Sequence, residues 1–323
     1  MTEPKLVHKG STKDVYQSGD HYLFRFSDRY SVFDWGEMPD HLQHKGLSLA
    51  KFTKAIYRKL SETGIKHHLI NADCGENEIL VKPFEVIREP LEQMPTKANI
   101  FVPLEVIFRL GVARGSSLLK RFKTPDDWKA AGFDRAYQEL EFFAEPKVEF
   151  TTKLERFDRP LTHAEAKQLA GLNQVEWLNL ITTTQRIALE VKKIFSPHEI
   201  CLWDGKVEFA LGEFNGENRE IVLVDSIGPD ELRLTKDGVL LSKEVIRQYY
   251  KNSEWYQKLD QVKTKHGEKF KDFIAAPDPL SREFKSAVEE LYTLLPELID
   301  QDAQSAAALR LTKLLPRLKG HVS

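Results

Sequence analysis

Apolar and polar positions alternate in short runs near the N-terminus, adopt a helical period in the middle, and form two amphipathic stripes toward the C-terminus. Between Lys5 and Phe26 the runs LVHKGSTKDVY and HYLFRF flank QSGD, which predicts two strands around a Gly-Asp turn. Leu49, Phe52, Ile56 and Leu60 then follow helical spacing, with Gly64 ending the pattern, so this helix should pack on the hairpin sheet. Glu78 to Val86 reads as a strand closing a first lobe, and the proline- and charge-rich stretch Arg88 to Asn99 as a loop between lobes. A strand PLEVIFRLGVA leads through Arg114 to Ser117 into a helical LLKRF, and PKVEFTTKLE is another strand. Thr162 and Glu165 form a capping box, from which a core helix of roughly thirty residues is predicted to run to Phe195. Lys206 to Leu211 and Ile221 to Val224 flank Asn215-Gly216 and predict a β-hairpin. Ser242 to Leu259 reads as a helix, followed by the stripes Phe284, Val288, Leu291, Leu295, Leu298 and Ala307, Leu311, Leu314, Leu318.

These patterns divide the chain into an N-terminal α+β lobe (1–87), a central α+β lobe (88–259) and a helical extension (260–323) expected to pack on the second lobe and able to support a homo-oligomer. At 323 residues and 41% hydrophobic content, the chain is long enough for two cores. Its 47 basic and 49 acidic residues leave a net charge of -2, which supplies no global field for nucleic acid or an anionic membrane; any anion site is local. Cys74 and Cys201 stand far apart, against a disulfide framework or structural zinc. No signal core is visible and no run approaches the ~18 apolar residues of a membrane span, so a cytoplasmic location is expected.

The candidate chemistry is concentrated in the second hairpin. Alternation puts Asp204, Lys206 and Glu208 on one face and Val207 and Phe209 on the other. Glu208 and Asp225, brought together across the hairpin, could hold a hard cation such as Mg²⁺, with Lys206 near a phosphate. The same pattern fits a solvated hairpin face with cross-strand ion pairs. Lys9 and Lys13 surround Gly10, Ser11 and Thr12 in a bend that could cradle a polyphosphate, although surface lysines on a hairpin look the same. Arg109 in an apolar strand needs an anionic partner, either a ligand phosphate or a protein carboxylate. The Gly-Ser-Ser bend after it could bind phosphate through backbone N–H groups. Lys243 and Arg247 share one helical face.

Taken in order from about Val7 to Arg247, the segments HKGSTKDVY, SDRYSVFD, HKG, PLEVIFR with GSSLLKR, FTTKLERFDRPL, DGKVEF, VDSIGPDELRL and LSKEVIRQ resemble the SAICAR synthetase family of purine biosynthesis. Asp225 is followed by Ser226 where that family's pattern has an Asp-Glu pair. The resemblance implies a two-lobed α+β fold related to ATP-grasp enzymes, with antiparallel sheets, packed helices and a helical C-terminal tail. It implies an ATP- and Mg²⁺-dependent ligase joining carboxyaminoimidazole ribonucleotide (CAIR) to L-aspartate. By the same resemblance, Lys9, Gly10, Lys13, Lys82 and Lys153 would bind the nucleotide, and Glu208 and Asp225 the metal. Arg109, Ser116, Arg233, Lys243 and Arg247 would hold the substrate's phosphate and carboxylate. Lys206, beside the metal ligands, and Asp34, at the substrate end, would take the catalytic positions. Two alternatives stay open: a relative acting on another azole carboxylate or amine would keep Glu208 and Asp225 and change the substrate contacts, and a nucleotide-binding paralogue without catalysis would fit the loss of a carboxylate at Ser226.

Overall fold

A computed structural model of the chain describes residues 3–70, 74–88, 94, 96–155 and 158–322. Much of the expected Arg88 to Asn99 loop, and positions 156 and 157 of FTTKLERFDRPL, lie outside the described residues. In chain order the elements are β1 (Lys5–Lys9), β2 (Lys13–Ser18), β3 (His21–Phe26), α1 (Lys45–Glu62), β4 (Leu69–Ile70), β5 (Glu78–Val81), β6 (Ile100–Phe101), β7 (Leu104–Gly111), α2 (Ser117–Arg121), α3 (Pro125–Ala130), β8 (Phe142–Thr152) and β9 (Pro160–Leu161). There follow α4 (His163–Leu169), α5 (Gln174–Phe195), β10 (Cys201–Asn215), β11 (Asn218–Val224), β12 (Leu232–Lys236), β13 (Val239–Leu240), α6 (Lys243–Lys251), α7 (Glu254–His266), α8 (Arg282–Leu298) and α9 (Ala306–Lys319). The chain divides into two compact units: Met1–Pro83 with Ile194–Ile200 and Ser226–Ser323, and Phe84–Lys193 with Cys201–Asp225.

In the first unit, strands pair in the order β1-β2-β3-β5-β4. The β2–β3 turn is the expected Gly-Asp turn, with Gly19 at φ 60°. The first expected strand is broken into β1 and β2 by a bend at Gly10, whose N–H donates to the Lys13 carbonyl at 3.0 Å. β5 stops at Val81, short of the expected Val86, because Pro83 follows and removes a donor from the ladder. α1 packs on β3 and β5 as predicted, with Leu49, Phe52, Ile56 and Leu60 buried. It also buries Thr53 and Tyr57, more surface than one sheet face covers, and α8 packs on it. The tail falls in the first unit together with residues 226–259, which the sequence assigned to the central lobe. Besides α1 it meets that stretch, Phe284 stacking on Tyr249 with ring centroids 4.5 Å apart and Tyr292 bonding Asp230, and its stripes are buried within the chain itself. Ser242 to Leu259 forms two helices, because Ser253 accepts a hydrogen bond from the Tyr256 N–H and caps α7.

The second unit carries an antiparallel sheet in which β10, β7, β8 and β9 pair in that order, with β11 and β6 also pairing with β10. On one face Val106, Phe108, Val148, Phe150, Val207 and Phe209 are buried, and Trp177 of α5 packs on Phe150 with ring centroids 4.8 Å apart. The helix expected over Thr162 to Phe195 is two: the capping box starts α4, Gly171 turns at φ 59°, and the Asn173 side chain accepts from the Val175 and Glu176 N–H groups to start α5. The predicted β10–β11 hairpin forms, with Glu208 opposite Val224. Asp225, at φ 65°, ends it.

Candidate active site

The polar face of the second unit's sheet follows from register. Asp204 lies opposite Arg109, and Arg109 opposite Lys147; Lys206 lies opposite Ile107, and Ile107 opposite Glu149. With a side-chain period of two, Asp204, Lys206 and Glu208 share this face with Glu105, Arg109 and Glu149. Glu105 organises it: one carboxylate oxygen accepts from Lys206 Nζ at 2.8 Å and from Lys153 Nζ at 3.0 Å. Lys153, just beyond β8, also meets Glu208 Oε1 at 2.7 Å. Burial disfavours the Lys153 ammonium, but Glu208 and Glu105, with Asp225 beyond them, outweigh that and raise its pKa. Burial likewise pushes the Glu105 carboxyl up, and Lys206 and Lys153 bring it below its ordinary value. The structure thus gathers Lys206, Glu208 and Asp225 around Lys153, whose place in this cluster the sequence did not give.

Arg109 has the protein partners left open by its sequence context. It pairs with Glu149, with Asp204 at 3.3 Å, and with the Ser117 hydroxyl at 3.4 Å. Arg121 grips the other Glu149 oxygen at 2.5 Å. Ser116 is 1% exposed and its hydroxyl accepts from the Leu118 N–H, capping α2; this uses it for the backbone, and the exposed serine beside Arg109 is Ser117.

In the first unit the bend between β1 and β2 is held from outside. Arg29 donates to the Gly10 carbonyl at 3.0 Å and to Asp14 at 2.5 Å, while the Ser27 backbone and hydroxyl both donate to the Thr12 carbonyl. A Cβ on Gly10 would stand 2.5 Å from the Lys13 carbonyl oxygen, so this bend requires glycine. Lys13 Nζ lies 4.8 Å from the Phe24 ring centroid and donates to Ser226 Oγ at 3.2 Å. Lys9 and Lys82 are exposed; Lys82 follows β5, and its N–H donates to the His68 carbonyl.

The same unit collects the basic residues of the later segments. Arg247 reaches Glu244 at 3.2 Å. Burial pushes the Glu244 carboxyl up, but Arg247, Arg233 and Lys251 together lower it, which places Arg233 in this cluster. Lys243 is lowered by burial, against the attraction of Asp230. Asp34 is 91% exposed and pairs with Lys263 of α7 at 2.9 Å. Sequence reading missed Glu105, Lys45 and Asp230. Glu105 carries the same signal as Arg109, a charge within an apolar strand; Asp230 and Lys45 form a buried pair at 2.9 Å between segments far apart in sequence.

The SAICAR synthetase family model matches residues 6–262. A phosphoribosylaminoimidazole-succinocarboxamide synthase of Thermoplasma acidophilum is 32% identical over 297 residues, covering 89% of this chain and 97% of the relative. A protein of Archaeoglobus fulgidus bearing the same name provisionally is 36% identical over 290 residues, 83% of this chain and 85% of its own. A solved SAICAR synthetase in complex with ADP superposes with a TM-score of 0.59 at 26% identity, covering 84% of this chain and 100% of that one. Antiparallel sheets with packed helices, joined to these matches, define an α+β carbon–nitrogen ligase. The chain belongs to the SAICAR synthetase family.

Proposed function

We propose that this chain joins the carboxylate of CAIR to the amine of L-aspartate, using ATP and giving SAICAR, ADP and phosphate. Relatives of one name and one activity across most of the chain support the reading, and the arrangement around Lys153 carries it structurally. A carboxylate is a poor electrophile at neutral pH. Transfer of the terminal phosphoryl group converts it to an acyl phosphate; the aspartate amine then attacks the acyl carbon, the C–N bond forms, and phosphate leaves. Such chemistry needs positioning and charge neutralisation more than covalent participation.

Lys9 and Lys13, around the fixed Gly10 bend, and Lys82 would hold nucleotide phosphates in this reading. Lys153 and Lys206, oriented by Glu105, would face phosphate oxygens in the second unit. Arg233, Lys243 and Arg247 would hold the ribonucleotide's phosphate and carboxylate, with Ser117 in place of the capped Ser116. Arg109 would offer the N–H groups left by Glu149, Asp204 and Ser117, and Asp34 would lie at the substrate end. Glu208 and Asp225 both act on one ammonium, so the donor set suits a hard cation. No cluster of three or more metal-ligating side chains occurs among the described residues; Mg²⁺ held by this pair would complete its shell with phosphate oxygens and water. Bound there, it would neutralise phosphate charge during transfer. Nucleotide substrates put the protein in the cytoplasm.

The test is ADP release from the purified chain with ATP and Mg²⁺, adding CAIR and L-aspartate singly and then together, with product mass read alongside. We expect ADP only with both substrates, together with the succinocarboxamide mass, and loss of turnover in folded Glu208→Ala by about 100-fold or more. ADP formation without L-aspartate incorporation overturns the ligase reading; near-normal turnover and unchanged Mg²⁺ dependence in the variant overturn the metal pair.

A further inference from the structure

The family match ends at residue 262, before α8 begins at Arg282. Yet α8 supplies one of the contacts that fix the matched segment Pro229 to Arg233. Asp230, its side chain 5% exposed, accepts from Lys45 Nζ at 2.9 Å on one oxygen and from the Tyr292 hydroxyl at 2.5 Å on the other. Lys45 and Tyr292 are fully buried, and the ammonium lies 5.3 Å from the Tyr292 ring centroid. Each carboxylate oxygen is therefore held by a different element: one by the start of α1 and the other by the middle of α8.

The segment so fixed is short. The Glu231 N–H donates to Gly228 on one side, the Lys243 N–H donates to the Pro229 carbonyl, and β12 carries Arg233 three residues beyond Asp230. A Cβ on Gly228 would meet Leu49 of α1 at 3.1 Å, so the turn sits close against that helix. A shift of Asp230 moves Arg233 along the strand and Lys243 through Pro229. Without the tyrosine hydroxyl, one oxygen of a buried carboxylate loses its donor, which displaces the group it anchors.

We propose that Tyr292 is a positioning residue for the substrate: through Asp230 it sets Arg233 and Lys243, so the helix beyond the family match takes part in ribonucleotide binding. This rests on the reading that Arg233, Lys243 and Arg247 hold the ribonucleotide. Tyr292→Phe keeps the ring beneath Lys45 and removes only the hydroxyl. In the full chain we expect the KM for CAIR to rise about tenfold while the KM for ATP and kcat stay near wild type. An unchanged CAIR KM, or a common fall in every parameter with the melting temperature, overturns the proposal. Arg233→Ala separates the two levels: if it leaves the CAIR KM unchanged, the substrate assignment itself fails; if it raises it and Tyr292→Phe does not, only the tyrosine's role fails. Hydrogen exchange of the wild-type chain needs no variant. CAIR should slow exchange at residues 230–233 and 289–295 together, and slowing confined to the first stretch would also overturn the proposal.

Discussion

Glu105 shows how one side chain can set the chemistry of a surface. Its carboxylate is 7% exposed, and a single oxygen takes both Lys153 and Lys206. Those ammonium groups would repel if the charge between them were removed: a glutamine oxygen can still accept from both, but it carries no charge to neutralise them. The lysines themselves are 32% and 45% exposed, so solvent reduces the cost below that of a wholly buried pair. For Glu105→Gln we expect a loss of about 2 kcal/mol in a urea titration, together with a fall in turnover in the ADP-release assay. A loss within about 0.5 kcal/mol would show that the lysines are held by other partners.

At the scale of elements, the bend between β1 and β2 offers the corresponding test. Gly10→Ala pushes a methyl group into the Lys13 carbonyl, and the bend opens or the strands shift. The expected result is a roughly tenfold rise in the KM for ATP, with a stability cost of about 1–2 kcal/mol by chemical denaturation. An unchanged ATP KM would remove the bend from the nucleotide site. This bend, the β10–β11 hairpin and the buried stripes of α1, α8 and α9 were legible because their signals are local: glycine, strict alternation, helical period. The break between α4 and α5 was hidden because apolar period continues across Gly171 to Asn173, although both residues carry the chemistry of a stop and a start. Arg109 was legible as a charge needing a partner, but its choice of Glu149 and Asp204 depends on strand register over 40 and 95 residues. The packing of the tail on α1 as well as on residues 230 and 249 is likewise a non-local outcome that no single stripe encodes.

For the molecule as a whole, the two units share an electrostatic habit: buried or half-buried carboxylates held ionised by neighbouring cations, some buried and some reaching toward solvent. Burial raises Glu105, Glu149, Glu176 and Asp230, and their partners more than reverse it: Lys206 and Lys153, Arg109 and Arg121, Arg219, and Lys45 with Lys243, respectively. Each carboxyl lies below its ordinary value in the folded state, so the unfolded chain binds more protons as pH falls. Their contribution is complete above the unfolded carboxylate range, about pH 4, and is lost as pH falls through the lower folded values. His67, lowered by burial, adds a shallow loss that starts near about pH 6.5 on the way down. Burial raises Tyr30, Tyr250 and Tyr292, so their contribution is intact below the unfolded tyrosine value, about pH 10, and is lost as pH rises through the folded ones. Urea midpoints should therefore be flat between about pH 7 and 9, slope gently to about pH 4, and fall steeply on either side of that span. Added salt screens exposed pairs far more than buried ones, so the steep acid limb should persist at about 0.5 M NaCl. A limb that disappears in salt would assign acid unfolding to surface charge, and the buried pairs would then be no more than packing.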